Sequence, residues 1–398
     1  MKNSNFKPLT ISILTTIAIL ITGFAKKEIE IPKVENRGGI FYLEINAPTP
    51  YGKGFQQGAA LKEVIKEGIN DFDLWIADHS DYKDSEEMAK DFISKTKYLE
   101  DVKNYTPNLY AELKGMAKGS EIDIEVLFLY NSLDEYLAFL MEQGANADQI
   151  AHCTTTGVYN RTNLPNFVTH NNDLMNIFSN RVVVTKIINP KSDLVILQTG
   201  FAGTFAQNGV NNYGVGVGCN IIVDMERNSR GLPVAFNNRK ILETKSIEEA
   251  KNYLSNVPSA QSMNYMVGDR NKVASLEVSG DGNVYSVNDY SGDYAVHTNH
   301  TLNPKAKKVR DITSKKPTTA KTVERFETAE NVLAKEYKTI DTQGVKDLKS
   351  TKPIRINEEG AISETIESVI CEIPKKGNPI LYVTNGLPNG DNYERFDF

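Results

Sequence analysis

Residues 150–174 read IAHCTTTGVYNRTNLPNFVTHNNDL, and the character of the chain changes across them. Ahead of this stretch, from residue 48 to about 145, apolar residues recur at three- and four-residue spacing through 59–78, 85–104, 107–119 and 124–142. That is the period of amphipathic helices. Behind it come short β-rich runs at 167–169, 180–188, 194–199, 213–222, 263–267, 273–278, 282–287 and 379–383, punctuated by Gly and Asn-Asp turns. Helices return at 246–254, where Ser246 caps and Glu248-Glu249 occupy the first turn, and at 318–336. Blocks segregated in this way predict α+β layers rather than a βαβ wind.

Inside the quoted stretch, Cys153 opens a strand-like run with Thr154, Thr155 and Thr156, and Asp173 follows 20 positions later. If the second run is the adjacent antiparallel strand, thiol and carboxylate meet at the same end of a hairpin. Residue chemistry alone leaves two readings open, because Cys is a common buried residue and Thr-rich runs are common strands. The other two cysteines read as buried strand residues, Cys219 in a Gly-rich run and Cys371 in Ser368-Val369-Ile370-Cys371. Three cysteines are too few and too scattered for a disulfide framework or a Cys-rich zinc site. His297 and His300 flank Thr298-Asn299 at a spacing that points them to opposite faces of a strand, so no metal site is expected. Arg239, after Asn237-Asn238, reads as a surface or interface charge.

Composition narrows the partners. The 398 residues carry 45 Lys and Arg against 51 Asp and Glu, a net charge of −6, so no global positive field exists to hold a nucleic acid. Seven basic residues fall within 305–321, which reads as a solvated loop. At the start, Lys2 and Lys7 precede an uncharged run of 16 residues, 9–24, which ends in Gly23-Phe24-Ala25. This is the layout of a secretory signal cleaved after Ala25, and the run is shorter than the roughly 20 residues a membrane span needs. An uncleaved anchor is the alternative. Either way the rest of the chain is expected to be secreted, periplasmic or held at the cell envelope, with membrane contact only through this segment.

Further strips complete a pattern: Gly52-Lys53-Gly54-Phe55-Gln56-Gln57-Gly58, Glu112-Leu113-Lys114-Gly115, the run Asn208 to Asn220, Asn264 within Ser262-Met263-Asn264-Tyr265, His297-Thr298-Asn299-His300, and Arg325 within Thr322-Val323-Glu324-Arg325-Phe326. In this order, from about Tyr51 to the C-terminus, they resemble the penicillin acyltransferase family of self-processing N-terminal-nucleophile amidohydrolases, with choloylglycine hydrolases and acid ceramidases as more distant relatives. The resemblance implies a four-layer αββα Ntn-hydrolase sandwich. It implies a helical leader at 26–152 that forms one domain with a catalytic segment at 153–398, the bond between His152 and Cys153 being cut by the protein itself.

By the same resemblance, Cys153 is the nucleophile and Thr155 a hydroxyl beside it. Asp173 orients the new α-amine, Asn220 supplies an oxyanion-hole amide, Asn264 is a second Asn near the scissile group, and Arg325 supports the site. The chain departs from the family at His170-Asn171-Asn172-Asp173, where Gln-Asn-Trp-Asp or Arg-Asn-Met-Asp is usual, and at His152, where a small residue is usual. The chemistry needs no cofactor. An internal thiol with a pKa near 8.5 gains a base when its own α-amine, with a pKa of about 7.7–8.0, is released. The implied activity is cleavage of a linear amide of a small N-acyl amine or N-acyl amino acid through a thioester. An acyltransferase differs only in the acceptor, and a lipid esterase on the same scaffold or a non-catalytic surface binding protein are the other readings. Nothing in the chain sets an oligomeric state.

Overall fold

The run around Cys153 becomes a pair of antiparallel strands, β3 (His152–Val158) and β4 (Asn166–Met175), joined by a turn in which Asn160 and Asn163 adopt left-handed backbone (φ 56° and 66°). Asn tolerates that region better than most residues with a Cβ. The structure, a computed structural model, describes residues 29–143, 152–280, 283–286, 293–305, 308, 321–357 and 363–398. Residues 1–25, expected to be an export signal, and most of the basic 305–321 run lie outside the described residues.

Two sheets stack face to face. The larger has nine strands in the order β1 (Glu35–Arg37), β2 (Ile40–Ile45), β5 (Val182–Ile188), β6 (Val195–Phe201), β7 (Asn208–Asn211), β8 (Gly216–Ile221), β9 (Met263–Gly268), β10 (Val273–Val278) and β11 (Val284–Ser286). The smaller has six: β12 (Tyr294–His297), β3, β4, β13 (Ser363–Ile373), β14 (Ile380–Val383) and β15 (Glu394–Asp397). Strands β3 and β4 lie against β8 and β9 across the interface.

Helices cover both outer faces. The nine-stranded sheet is backed by α1 (Pro50–Ala60), α2 (Lys62–His79), α3 (Ser85–Lys95), α4 (Tyr98–Tyr105), α5 (Pro107–Ser120), α6 (Ile124–Tyr130), α7 (Leu133–Glu142), α8 (Val234–Ile241) and α9 (Ile247–Asn256). The six-stranded sheet is backed by α10 (Thr322–Glu336) and α11 (Thr342–Ser350), whose Ala329, Leu333, Val345 and Leu348 pack on Val158, Phe167 and Ile370. The expected four-layer αββα arrangement is therefore the one observed.

Where the elements differ from the expected ranges, side chains explain it. The helix expected over 85–104 breaks at Thr96, which turns extended while its hydroxyl donates to Phe92 O (2.8 Å). The helix expected over 124–142 breaks at Asn131, whose amide nitrogen donates to Leu127 O and Gly203 O (both 2.8 Å) while its oxygen accepts from Phe205 N (2.7 Å). That tie to the turn after β6 is a long-range contact without periodicity. The cap at Ser246 forms as read, with Oγ accepting from Glu249 N at 3.3 Å. Arg239 is neither a surface nor an interface charge. It is 3% exposed, on the inward face of α8, and ion-paired with Glu243 (2.7 Å) and Glu112 (3.7 Å).

Segments on either side of Cys153 are interwoven. Strand β2 pairs in parallel with β5, and Asp71, Asp101, Glu112 and Glu142 each meet an arginine from beyond Cys153: Arg181, Arg230, Arg239 and Arg227. Helices α1 and α5 cross at backbone distance. A Cβ on Gly54 would overlap the Glu112 carbonyl, and one on Gly115 the Tyr51 carbonyl.

Strand β13 contains a bulge between Thr365 and Glu367, opposite Asp173 and Asn172. One extra residue reverses the alternation of side chains beyond it. Thr365 consequently shares the helix-side face with Asp173, while Glu367 shares the inter-sheet face with Asn172 and Cys153 and accepts from Asn208 Nδ2 of the opposite sheet at 3.2 Å. Burial raises the Glu367 carboxyl to about 7.

Gly115→Ala should destabilise the protein by about 1–3 kcal/mol through overpacking, read as a lower urea midpoint; an unchanged midpoint would refute the close helix crossing. Native Glu367 holds its proton to higher pH than the unfolded chain does. Its contribution is therefore fully present below about pH 4 and fades as pH rises toward 7. In Glu367→Gln that part of the pH dependence disappears, a difference on the order of 1–3 kcal/mol between urea midpoints at pH 5 and pH 8. Parallel pH profiles for parent and variant would contradict the assignment.

Candidate active site

Alternation along β3 sends Cys153 and Thr155 toward the nine-stranded sheet, and Thr154 and Thr156 toward α10 and α11. The contacts agree. Thr155 Oγ1 donates to Asn220 Oδ1 on β8 at 2.8 Å, whereas Thr154 Oγ1 accepts from Arg325 Nη1 on α10 at 2.8 Å. Every residue of β3 and β4 is buried, so these polar side chains must satisfy one another.

The main chain of Cys153 is held at both ends. Its N–H donates to Asn299 Oδ1 at 3.1 Å, and its carbonyl oxygen accepts from Arg325 Nη1. Arg325 Nη2 also donates to Asn299 Oδ1 (2.6 Å), which places one amide oxygen between a guanidinium and the Cys153 nitrogen. Asn299 is itself fixed by Nδ2 to Ile221 O (3.1 Å) and by its own N–H to Thr322 Oγ1 (3.0 Å). Lys349 of α11, wholly buried, donates to Thr154 O at 2.7 Å, and burial lowers its ammonium to about 7.

Asp173 faces His152 across the β3–β4 ladder, one residue from Cys153. Its Oδ1 accepts from Thr365 Oγ1 at 2.5 Å, while Oδ2 has no hydrogen-bond partner among the described residues. Burial raises this carboxyl to about 7 against the pull of Arg325, Thr365 and Lys349. The Cys153 thiol is pushed well up by burial and then by the Asp173 charge.

Asn220 and Asn264 pair across β8 and β9, with Asn264 Nδ2 donating to Asn220 Oδ1 at 3.1 Å and Ser275 Oγ donating to Asn264 Oδ1 at 2.7 Å. Asn220 Nδ2 lies 2.7 Å from His297 Nδ1, and His297 Nε2 lies 2.9 Å from Glu277 Oε1. Burial works to raise the Glu277 carboxyl, but bonds from His297, Thr301 and Leu302 hold it below the usual range. A charged carboxylate therefore anchors the imidazole, and the imidazole faces the Asn220 amide. His300 sits past the strand end against Thr322 Oγ1 (3.0 Å), with its pKa lowered to about 4 by burial. His170, opposite Thr155, is lowered to about 3 by burial and stays neutral.

The six residues singled out in the sequence thus form two connected groups. Cys153 and Arg325 are joined through the Cys153 carbonyl, with Asp173 on the neighbouring strand; Thr155, Asn220 and Asn264 form a chain between β3 and the larger sheet. Sequence reading left out Asn299, Glu277, Lys349 and Thr365. Asn299 lay in a strip already noticed, between His297 and His300. Lys349 and Thr365 carry no local signal, because one sits in an ordinary amphipathic helix and the other is aimed by a bulge.

The family profile of acyl-coenzyme A:6-aminopenicillanic acid acyl-transferase matches residues 160–377. The 40 kDa form of acyl-coenzyme A:6-aminopenicillanic-acid acyltransferase from Emericella nidulans is 28% identical over 255 residues, which cover 64% of this chain and 68% of that protein. Among solved structures, a Caenorhabditis elegans N-acylethanolamine-hydrolyzing acid amidase ortholog matches with TM-score 0.44 and 17% identity, covering 62% of this chain and 100% of that one. Penicillin V acylase from Agrobacterium tumefaciens matches with TM-score 0.42 and 14% identity, covering 61% and 86%. With more than half its length matched by that profile, the chain belongs to the acyl-coenzyme A:6-aminopenicillanic acid acyl-transferase family and is an enzyme of amide bonds, a hydrolase or an acyltransferase.

Proposed function

We propose that this is an exported, self-processing amidohydrolase that cleaves linear N-acyl amines or N-acyl amino acids, with Cys153 as its N-terminal nucleophile after cleavage. The observation that carries the reading is the convergence of Asn299 and Arg325 on the main chain of Cys153. A buried amide oxygen, itself held by a buried guanidinium that also donates to the Cys153 carbonyl, accepts from a backbone nitrogen that becomes chemically useful once it is a free amine.

In the intact chain the Cys153 sulfur attacks the His152 carbonyl carbon, the C–N bond breaks as the nitrogen takes a proton, and water hydrolyses the resulting thioester to a His152 carboxylate. Departure of His152 exposes the new amine beside Asp173, whose free Oδ2 accepts from the ammonium form. The neutral amine takes the thiol proton, the thiolate attacks the substrate carbonyl, and the amine returns the proton to the leaving nitrogen. Asn220 keeps one amide hydrogen beyond the one facing His297, and we assign it to the developing oxyanion. Water completes the cycle. An amine acceptor in place of water gives an acyltransferase, the reading that the Emericella relative's name favours.

Cleavage produces chains of 127 residues (26–152) and 246 residues (153–398) if the export segment ends at Ala25. They stay together, because β2 lies inside the larger sheet and the four acid–arginine pairs cross between them. No described helix is long and apolar enough to cross a membrane, and export rests on the 1–25 segment alone.

Intact-mass analysis should find two co-eluting fragments in the parent, the second beginning at Cys153, and one full-length chain in Cys153→Ala. A parent that stays in one piece while active removes the proposal. Asn220→Ala should mature normally and lose about 10²–10³ in kcat with little change in KM; turnover within a factor of a few of the parent would take Asn220 out of the oxyanion role. Excess amine added during turnover distinguishes the two acceptors by the appearance of a new amide.

A further inference from the structure

A second concave site lies outside the Cys153 group, between α1, α5, the turn from β5 to β6, and α8. Its cavity of about 490 Å³ falls in the range typical of small-molecule sites, roughly 300–1,000 Å³. Lys53 and Glu112 enter it from before Cys153, Lys191, Arg239 and Glu243 from beyond.

The charges in it are unevenly matched. Glu243 is satisfied by Arg239 (2.7 Å) and Lys240 (2.5 Å). Glu112, 2% exposed, lies 3.7 Å from Arg239 Nη2, and its Oε1 has no hydrogen-bond partner among the described residues. Arg239, 3% exposed, likewise has an unpartnered Nε. Lys53, half-buried, makes no side-chain hydrogen bond or ion pair among the described residues, and burial lowers its ammonium despite the Glu112 charge. Lys191 adds an exposed cation at the rim. Buried polar atoms without partners are costly, each by about 1–3 kcal/mol. A ligand that reaches them recovers part of that cost.

Such a ligand needs an anion for Lys53, Lys191 and Arg239 and a hydrogen-bond donor for Glu112 Oε1. The rest of the wall mixes Asn108 and Asn189 with apolar residues, among which Leu109, Ile187, Leu194 and Ile196 would meet an aliphatic side chain. We propose that this cavity binds a free aliphatic α-amino acid, the carboxylate at Lys53 and Lys191, the ammonium at Glu112, and the side chain against the apolar wall. The occupant would bridge the segments on either side of Cys153, adding to the β2–β5 ladder that reaches Ile187 on the cavity wall, and binding to the folded form alone stabilises it.

The test is isothermal titration of the purified protein with L-leucine, with 4-methylpentanoate (no amine) and 3-methylbutylamine (no carboxylate) as matched probes. Saturable binding of L-leucine, at least tenfold tighter than either probe, is expected. Lys53→Met and Lys191→Met should each weaken it at least tenfold while keeping the parent's circular-dichroism spectrum, and the exposed Lys191 provides the reading if Lys53→Met does not fold. Absence of saturable leucine binding, equal binding of 4-methylpentanoate, or undiminished binding in the folded lysine variants would overturn the proposal.

Discussion

Arg325 is wholly buried, and the site is arranged around it. An unpaired guanidinium in a low-dielectric interior costs several kcal/mol, so its position is tolerated only where acceptors surround it. Those acceptors are the Cys153 carbonyl, Thr154 Oγ1 and Asn299 Oδ1, with the Asp173 carboxylate close enough to favour its charge. Because these acceptors come from two distant places, β3 and the strip after β12, satisfying one cation pins α10, the start of β3 and that strip to one another.

The same constraint explains why β3 and β4 can carry polar runs, 152–156 and 169–173, and still lie in the middle of the molecule. Each face has its own set of partners: Thr155, Asn220, Asn264 and Ser275 on the inter-sheet side, and Thr154, Arg325, Lys349, Asp173 and Thr365 on the helix side. The β13 bulge lets one strand serve both, Thr365 for Asp173 on one face and Glu367 for the Asn172 row on the other. Such polar interiors are stable only when nearly complete. The atoms left over, Asp173 Oδ2 above all, sit where the proposed chemistry would bring a new charge.

Much of this was legible along the chain. The helical block before Cys153 and the strand-rich block after it are both present, the hairpin brings Asp173 to the end of the strand that Cys153 opens, and the Ser246 cap forms because capping needs only residues three apart. The strand over 363–373 was anticipated only around Cys371, and α8 and α11, of eight and nine residues, escaped notice because they are so short. Arg239 was misread because its immediate neighbours say nothing about Glu112, more than 120 residues earlier.

Local chemistry therefore determined the α+β class and the change of texture at residue 150, and the resemblance of the ordered strips to a known family marked Cys153, Thr155, Asp173, Asn220, Asn264 and Arg325 as a set worth assembling. Tertiary structure alone decided which atoms they present to one another: that Asn299 takes the Cys153 nitrogen, that Asn264 stands behind Asn220, and that Lys349 and Thr365 join from α11 and β13. The physical reason is range. Caps, turns and amphipathic faces arise from residues within a few positions of each other, whereas a buried polar group must find its partner wherever the sheets happen to bring one.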